Sequence, residues 1–302
     1  MAQATSAQSG VQTGQLIAGG GIEQIRSKVK ELLDGAKITC FIGYEKSSDG
    51  AGSRPAFIYN SKDLGRLMLD DTCLHNLTKY LLNRKGKVTG ILVKPCHSRS
   101  INLLLAEKQI KREEVVIIGI TCTGVSETKD KAGNKSKPAC YDCSLRTPVV
   151  YDFLLGKPAE AETVADYGDV TELEDKTAEE RAKFWQEQFS RCIRCFACRA
   201  VCPGCYCPQC FADSLDPEWI GIKIAPSENE MWQIIRAFHQ TGRCVGCNAC
   251  EQACPMKIPL SKLNRKLDKE VLRLFDFRSG MDAETPMPFA TFKKEENLGV
   301  NK

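Results

Sequence analysis

Cys192-Ile-Arg-Cys-Phe-Ala-Cys-Arg-Ala-Val-Cys-Pro203 and Cys244-Val-Gly-Cys-Asn-Ala-Cys-Glu-Gln-Ala-Cys-Pro255 are two copies of one pattern, C-x2-C-x2-C-x3-C-P. Three thiols at this spacing can wrap one inorganic centre, and the fourth, just before a proline, is carried away from it. That is the spacing of [4Fe–4S] clusters, each held by four cysteine thiolates. Zinc sites also use paired C-x2-C, but they need neither the third cysteine, nor the following Cys-Pro, nor a second copy. The chain of 302 residues holds 17 cysteines. An odd, high number behind a polar start (Met1–Gln15) that lacks a basic segment and an apolar run argues against a secreted disulfide scaffold and for thiols kept reduced.

In a dicluster ferredoxin the fourth cysteine of each run ligates the other run's cluster. By that rule Cys192, Cys195, Cys198 and Cys254 form one site, and Cys244, Cys247, Cys250 and Cys202 the other. Arg191, Arg194, Arg199 and Arg243 flank the runs. They read either as charge compensation or partner contacts, or as solvated surface arginines.

Working outward, residues 20–158 alternate helical and extended patterns. Ile22, Ile25, Val29 and Leu32 recur near the helical period over Gly21–Leu33, which Gly35 ends. Lys37–Gly43 and Ala56–Tyr59 read as short strands, Ser61 as the cap of a helix to about Leu69, and Leu74–Leu82 as helical. Val88–Val93 and Val115–Ile120 are continuous apolar runs with a helix-like Ser100–Ile110 between them, the pattern of a βαβ unit with buried parallel strands. The expected fold is an α/β domain with a mostly parallel sheet, followed by a dicluster ferredoxin-like α+β iron–sulfur domain. Thr177 with Glu180 makes a capping box for a helix over Ala178–Phe189, whose Phe184, Trp185 and Phe189 read as core packing. The acidic stretch Tyr167–Glu180 reads as a linker, and Ile258–Arg273 as a helix.

Two further groups of cysteines follow from this layout. Cys96 and Cys122 come just after parallel strands, at the carboxyl edge where α/β domains bind ligands. With the C-x2-C pair Cys140 and Cys143 they make a candidate third [4Fe–4S] site, or else two packed cysteines and a free pair. Cys205, Cys207 and Cys210 crowd the insert after the first run. They suggest a fourth metal site, iron–sulfur or zinc, whose missing ligand is Cys73, Cys40 or a partner's side chain. Cys198-x3-Cys202-x2-Cys205 matches the radical-SAM spacing, but its first two members are already used by the ferredoxin pattern. His97 adjoins Cys96 and reads as a loop histidine or a donor to a cluster sulfur.

Lys94-Pro-Cys-His-Ser-Arg-Ser, Val115–Gly119, Thr121-Cys-Thr-Gly-Val, Cys140-x2-Cys143, Pro148-Val-Val-Tyr-Asp, the cysteine-rich 192–210 and the stretch 242–260 resemble the β-subunit family of coenzyme F420 (deazaflavin)-dependent hydrogenases and dehydrogenases, in its formate dehydrogenase β-like branch. The resemblance spans about Leu33 to Arg273. It implies an electron-transfer subunit of a cytoplasmic complex, beside a catalytic oxidoreductase subunit or a heterodisulfide-reductase-like flavoprotein, with a ferredoxin as a further candidate partner. It also implies FAD as an alternative cofactor, with hydride from a deazaflavin or nicotinamide split into single electrons. Gly19–Gly21 before a helix is the one candidate flavin-phosphate element, though it equally reads as a hinge.

The expected organisation is a polar lead (1–19), the α/β domain (20–158), an acidic linker and helix (159–190), the dicluster module with its insert (191–262), and a carboxyl-terminal helix and tail (263–302). A net charge of only +4 gives no reason to expect nucleic acid. No apolar run reaches the roughly 20 residues a spanning helix needs, so no membrane insertion is expected. Neither a phosphate loop nor a Rossmann glycine pattern is present. A zinc-stabilised scaffold is the remaining non-redox reading.

Overall fold

The computed structural model describes residues 21–50, 52–122, 124–125, 143–158 and 167–289. Its first half is built on a five-stranded sheet in the order β2-β1-β3-β4-β5. Helix α1 (Gly21–Asp34) buries Ile25, Val29 and Leu32 against it. Strand β1 (Cys40–Lys46) pairs antiparallel with β2 (Ser53–Ile58) and parallel with β3 (Thr89–Val93). Helix α2 (Pro95–Ala106) then leads to β4 (Val115–Ile120), parallel to β3. Beyond it lies β5 (Phe153–Leu155), parallel to β4. The mostly parallel sheet expected from the apolar runs is therefore present, with an antiparallel edge at β2.

Several local expectations are corrected. The segments expected as helices from Ser61 and Leu74 are 3-10 turns, Ser61–Arg66 and Leu77–Asn83. Their caps are Asn60 and Asn76, whose side-chain oxygens accept from Lys62 and Thr78 N–H. An asparagine side chain mimics a turn carbonyl and favours such short starts. Helix α2 begins at Pro95 rather than Ser100, because proline suits the first helical turn, where no intrahelical N–H bond is needed. Cys96 therefore sits in the first turn of a helix, and His97, 1% exposed, is a buried helix residue and not a loop histidine. The stretch expected as an acidic linker contains a helix, α3 (Gly168–Glu174).

The second half packs around its own core, which includes Phe189, Trp232, Ile258 and Leu260. Helix α4 (Ala178–Ser190) starts with the expected capping box. Trp185 stacks on Phe189 at 5.3 Å, as core aromatics do. One-turn helices α5 (Ala197–Ala200) and α7 (Ala249–Gln252) hold the third cysteines of the two runs, Cys198 and Cys250. Each is entered through a left-handed residue, Phe196 (φ 59°) or Asn248 (φ 55°), so the two runs share one local conformation. Between them runs α6 (Pro226–His239), a helix the motif spacing alone did not reveal. Helix α8 (Leu260–Phe275) closes the module. Its basic face holds α3: Arg265 pairs with Asp169 at 2.9 Å, and Lys266 and Lys269 with Glu174.

The two halves meet along α2. Arg99, buried, donates to the carbonyls of Ser279 (2.8 Å) and Val245 (3.1 Å). Asn102 donates to Gly280 O, and Glu107 pairs with Arg243 at 2.6 Å. Residues 277–281 thus lie on their own chain, with Ser279 and Phe277 buried. Gly280 is needed at the contact: its φ is +72° and a Cβ would fall 2.1 Å from Arg99 O. Gly280→Ala is expected to destabilise the protein by about 2–3 kcal/mol through left-handed strain and overpacking, read as a fall in the denaturant midpoint. An unchanged midpoint would mean that the tail contributes little to holding the halves together.

Candidate metal centres

The thiols grouped by spacing are brought together in space. Cys192, Cys195, Cys198 and Cys254 line one cavity, together with Arg194, Phe196, Trp232 and Gln233. Cys202, Cys244, Cys247 and Cys250 line a second, with Arg236, Gln240 and Asn264. Each cavity is thus lined by three cysteines of one run and one of the other. Cys96, Cys122 and Cys143 line a third cavity, at the carboxyl edge of β3 and β4. The Cys122 N–H donates to Arg146 O at 2.9 Å, which ties the Cys143–Arg146 segment to the sheet edge. Cys140, expected as the fourth member, lies outside the described residues. Cys247, with the Gly246 backbone, lines the second and third cavities alike, so the two are adjacent.

The polar groups around these thiols suit anionic sulfur. The Arg194 N–H and the Gln233 amide face Cys192 Sγ at 3.4 and 3.6 Å, and the Asn264 amide faces Cys250 Sγ at 3.7 Å. Hydrogen bonds to ligand sulfurs stabilise negative charge there. Each region also has a buried cation. Arg236 donates to Cys198 O at 3.1 Å while lining the second cavity, and its buried Nε has no protein partner among the described residues. Burial works against its charge, yet Cys250, Cys202, Cys198 and Cys205 hold its pKa above the usual arginine value. Lys94, 2% exposed, lines the third cavity, donates to Cys73 O and lies 5.4 Å over the Tyr44 ring. Buried charges persist where they are paired, and a thiolate-bound anionic centre would supply the partner.

Without such a centre the most deeply buried of these thiols resist ionising. Burial raises Cys244 above the ordinary range, Cys250 to about 12, and Cys122 and Cys247 upward. The exception is Cys202, lowered chiefly because the Cys205 thiol donates to it. His97 is pushed well below its ordinary value by burial and then by Lys94, and is therefore neutral. No described cysteine is in a disulfide. Among the described residues, no group of three or more His, Cys, Asp or Glu side chains is arranged to hold a metal ion. The thiols ring cavities instead.

The remaining cysteines separate. Cys73 is fully buried in the first core and its thiol donates to Asp70 at 3.8 Å. Cys40 is likewise buried, on β1, with its thiol toward Phe41 O. Cys205 lies beside Cys202, Cys207 is exposed, and Cys210 packs against the second core. The flanking arginines are mostly internal clamps: Arg199 pairs with Asp213 at 2.7 Å, Arg243 with Glu107, and Arg194 bonds Gly221 O. Lys94, Arg236, Gln233, Gln240 and Asn264 were not singled out by the sequence. Lys94 had a signal, two residues before Cys96. The others sit on helices whose thiol-facing side no spacing reveals.

A family model described as a 4Fe-4S binding domain matches residues 238–259, the second cysteine run. The chain is 24% identical to the F420-dependent formate dehydrogenase subunit beta of Methanocaldococcus jannaschii, over 86% of this chain and 92% of that protein. It is also 24% identical to the F420-dependent formate dehydrogenase 1 subunit beta of Methanococcus maripaludis, over 85% of this chain and 90% of that one. No helix of the described residues is long and apolar enough to cross a membrane. The resemblance read from the motifs therefore holds along most of the chain: it is similar to the β-subunits of F420-dependent formate dehydrogenases and carries a 4Fe-4S binding domain.

Proposed function

We propose that this chain is the iron–sulfur electron-transfer subunit of an oxidoreductase complex, with three thiol sites arranged as a wire. The carrying observation is the order of the cavities. The Cys192/Cys195/Cys198/Cys254 site and the Cys202/Cys244/Cys247/Cys250 site exchange their fourth cysteines, and Cys247 links the latter to the Cys96/Cys122/Cys143 site. Bound in these sites, [4Fe–4S] clusters would take up and release single electrons. The protein's own part is to hold the thiols apart at fixed corners, place amide N–H groups on their sulfurs and set buried cations between them. Cys140 is proposed to complete the third site. Cys195 is exposed, so the first site reaches the surface and offers a point of exchange.

By similarity to the two formate dehydrogenase β-subunits, the partner is a catalytic oxidoreductase subunit. A heterodisulfide-reductase-like flavoprotein and a ferredoxin are the other candidate partners. The competing reading, an FAD-containing subunit that splits a deazaflavin or nicotinamide hydride, is favoured only by the same similarity. The glycines once considered for its phosphate lie largely outside the described residues. Anoxically purified chain is expected to contain about 12 iron atoms, or four per site. Fewer than about 8, or zinc in their place, would reject the reading, since two complete clusters are its minimum. A flavin absorbance band would shift the conclusion to the competing reading.

A further inference from the structure

Cys205 has no place among the thiols that line the cavities, yet it is not a packing cysteine. Cys202-Pro-Gly-Cys205 is a tight turn closed by Cys205 N–H to Cys202 O at 3.2 Å. The turn brings the Cys205 side chain beside that of Cys202, within reach of one shared amide. One amide, Gln240, 4% exposed, serves both thiols: its Oε1 accepts from Cys202 Sγ at 3.4 Å and its Nε2 faces Cys205 Sγ at 3.3 Å. The same Nε2 donates to Gly204 O at 3.3 Å. Gly204 makes room for this amide, since a Cβ there would lie 2.4 Å from Gln240 Oε1. The loop is pinned from outside. Lys79 donates to Cys205 O, and Tyr206 packs on the first core. A sulfur held this way, beside one corner of the second cavity but outside its lining, has the position of a hydrogen-bond donor to a ligand.

We propose that Cys205 is a positioning residue for the second site, its S–H either donating to the Cys202 sulfur or orienting the Gln240 amide that does, and so raising the reduction potential of the centre held there. This rests on the iron–sulfur reading above. When Cys202 gives up its proton to bind iron, Gln240 Oε1 no longer has a hydrogen to accept. The amide can turn so that its NH2 faces Cys202 and its oxygen faces the Cys205 S–H. In either orientation a donor reaches the ligand sulfur, and donors at a cluster sulfur favour the reduced, more negative state.

The test is a redox titration of the full chain, with iron analysis, for wild type, Cys205→Ala, Cys205→Ser and Gln240→Leu. Cys205→Ala is expected to keep the wild-type iron content and move one of the reduction transitions to more negative potential, leaving the others in place. Cys205→Ser, whose O–H can still donate, should recover part of that shift, and Gln240→Leu should shift the same transition. Loss of about four iron atoms from Cys205→Ala would make it a ligand instead, and would overturn the proposal. Full iron with every transition unmoved would overturn it equally. Absence of iron from the wild type would instead remove the iron–sulfur reading itself, a result visible before any variant is made.

Discussion

Replacing Cys247 by alanine is expected to remove about four iron atoms per chain and to block electron passage through the protein, the largest functional loss expected of a single side chain here. Cys247 lines the second cavity with Cys202, Cys244 and Cys250, and it also lines the third with Cys96, Cys122 and Cys143. Removing its sulfur takes one corner from the middle site and a side chain that lines both sites. The sheet core is built from residues far from it, such as Ile42, Ile91 and Ile117, so the first half should stay folded. The check is iron analysis together with the rate at which the whole complex passes electrons from donor to acceptor. A rate within about twofold of wild type would place the route elsewhere, because loss of a centre that must be crossed lowers transfer by far more than the roughly 0.4 kcal/mol such a change represents.

Arg236→Met should have the second large effect, on stability and potential together. The guanidinium is buried between Cys198 of the first site and Cys202 and Cys250 of the second. It also bonds Cys198 O, holding the one-turn helix α5 in place. With it gone, negative sulfur on two sides loses its compensating charge in a low-dielectric setting. The loaded protein is expected to lose about 3–5 kcal/mol, the usual consequence of breaking a buried charge pair from one side. The transitions of both neighbouring centres should move negative, because the added electron is no longer offset by a nearby positive charge. Arg236→Lys should restore part of the potential and less of the stability, since an ammonium cannot reproduce the planar fork. Unchanged potentials in Arg236→Met would show that the cation serves only the fold.

The sheet and the crossed thiol sets could be read from the chain because both are written in local pattern. Val88–Val93 and Val115–Ile120 are apolar on both faces, as strands buried between layers must be, and they pair in parallel from Thr89↔Val115 to Val93↔Gly119. The dicluster ferredoxin pattern groups Cys202 with Cys244, Cys247 and Cys250, and these four line one cavity. Less was legible where tertiary contacts decide. Helix α6 carries Arg236 and is capped by Gln240, whose meaning depends on which side meets the thiols. Helix α2 starts earlier than its apolar pattern indicates because Pro95 favours a first helical turn without adding to the periodicity. The linker reading of Tyr167–Glu180 failed because its acidic side chains are matched by Arg265, Lys266 and Lys269, about a hundred residues later in the chain. Cys205, grouped by proximity in sequence with Cys207 and Cys210, is set apart by a single turn that brings it beside Cys202.

On the reading proposed above, the two halves form one conductor and not a sheet domain with a ferredoxin attached. Helix α2 presents Cys96 at its first turn, then Arg99 and Asn102 along its length and Glu107 at its carboxyl cap, the residues that hold the second half and the tail. The same helix thus positions a thiol of the third cavity and fixes its distance from Cys247.

Electron paramagnetic resonance of anoxically prepared chain after dithionite reduction tests this most directly. The account predicts reduced [4Fe–4S] signals broadened by magnetic interaction between neighbouring centres, simplified when Cys247 is replaced by alanine. A colourless sample without a paramagnetic signal, or sharp signals from isolated centres that Cys247→Ala leaves unaltered, would contradict it.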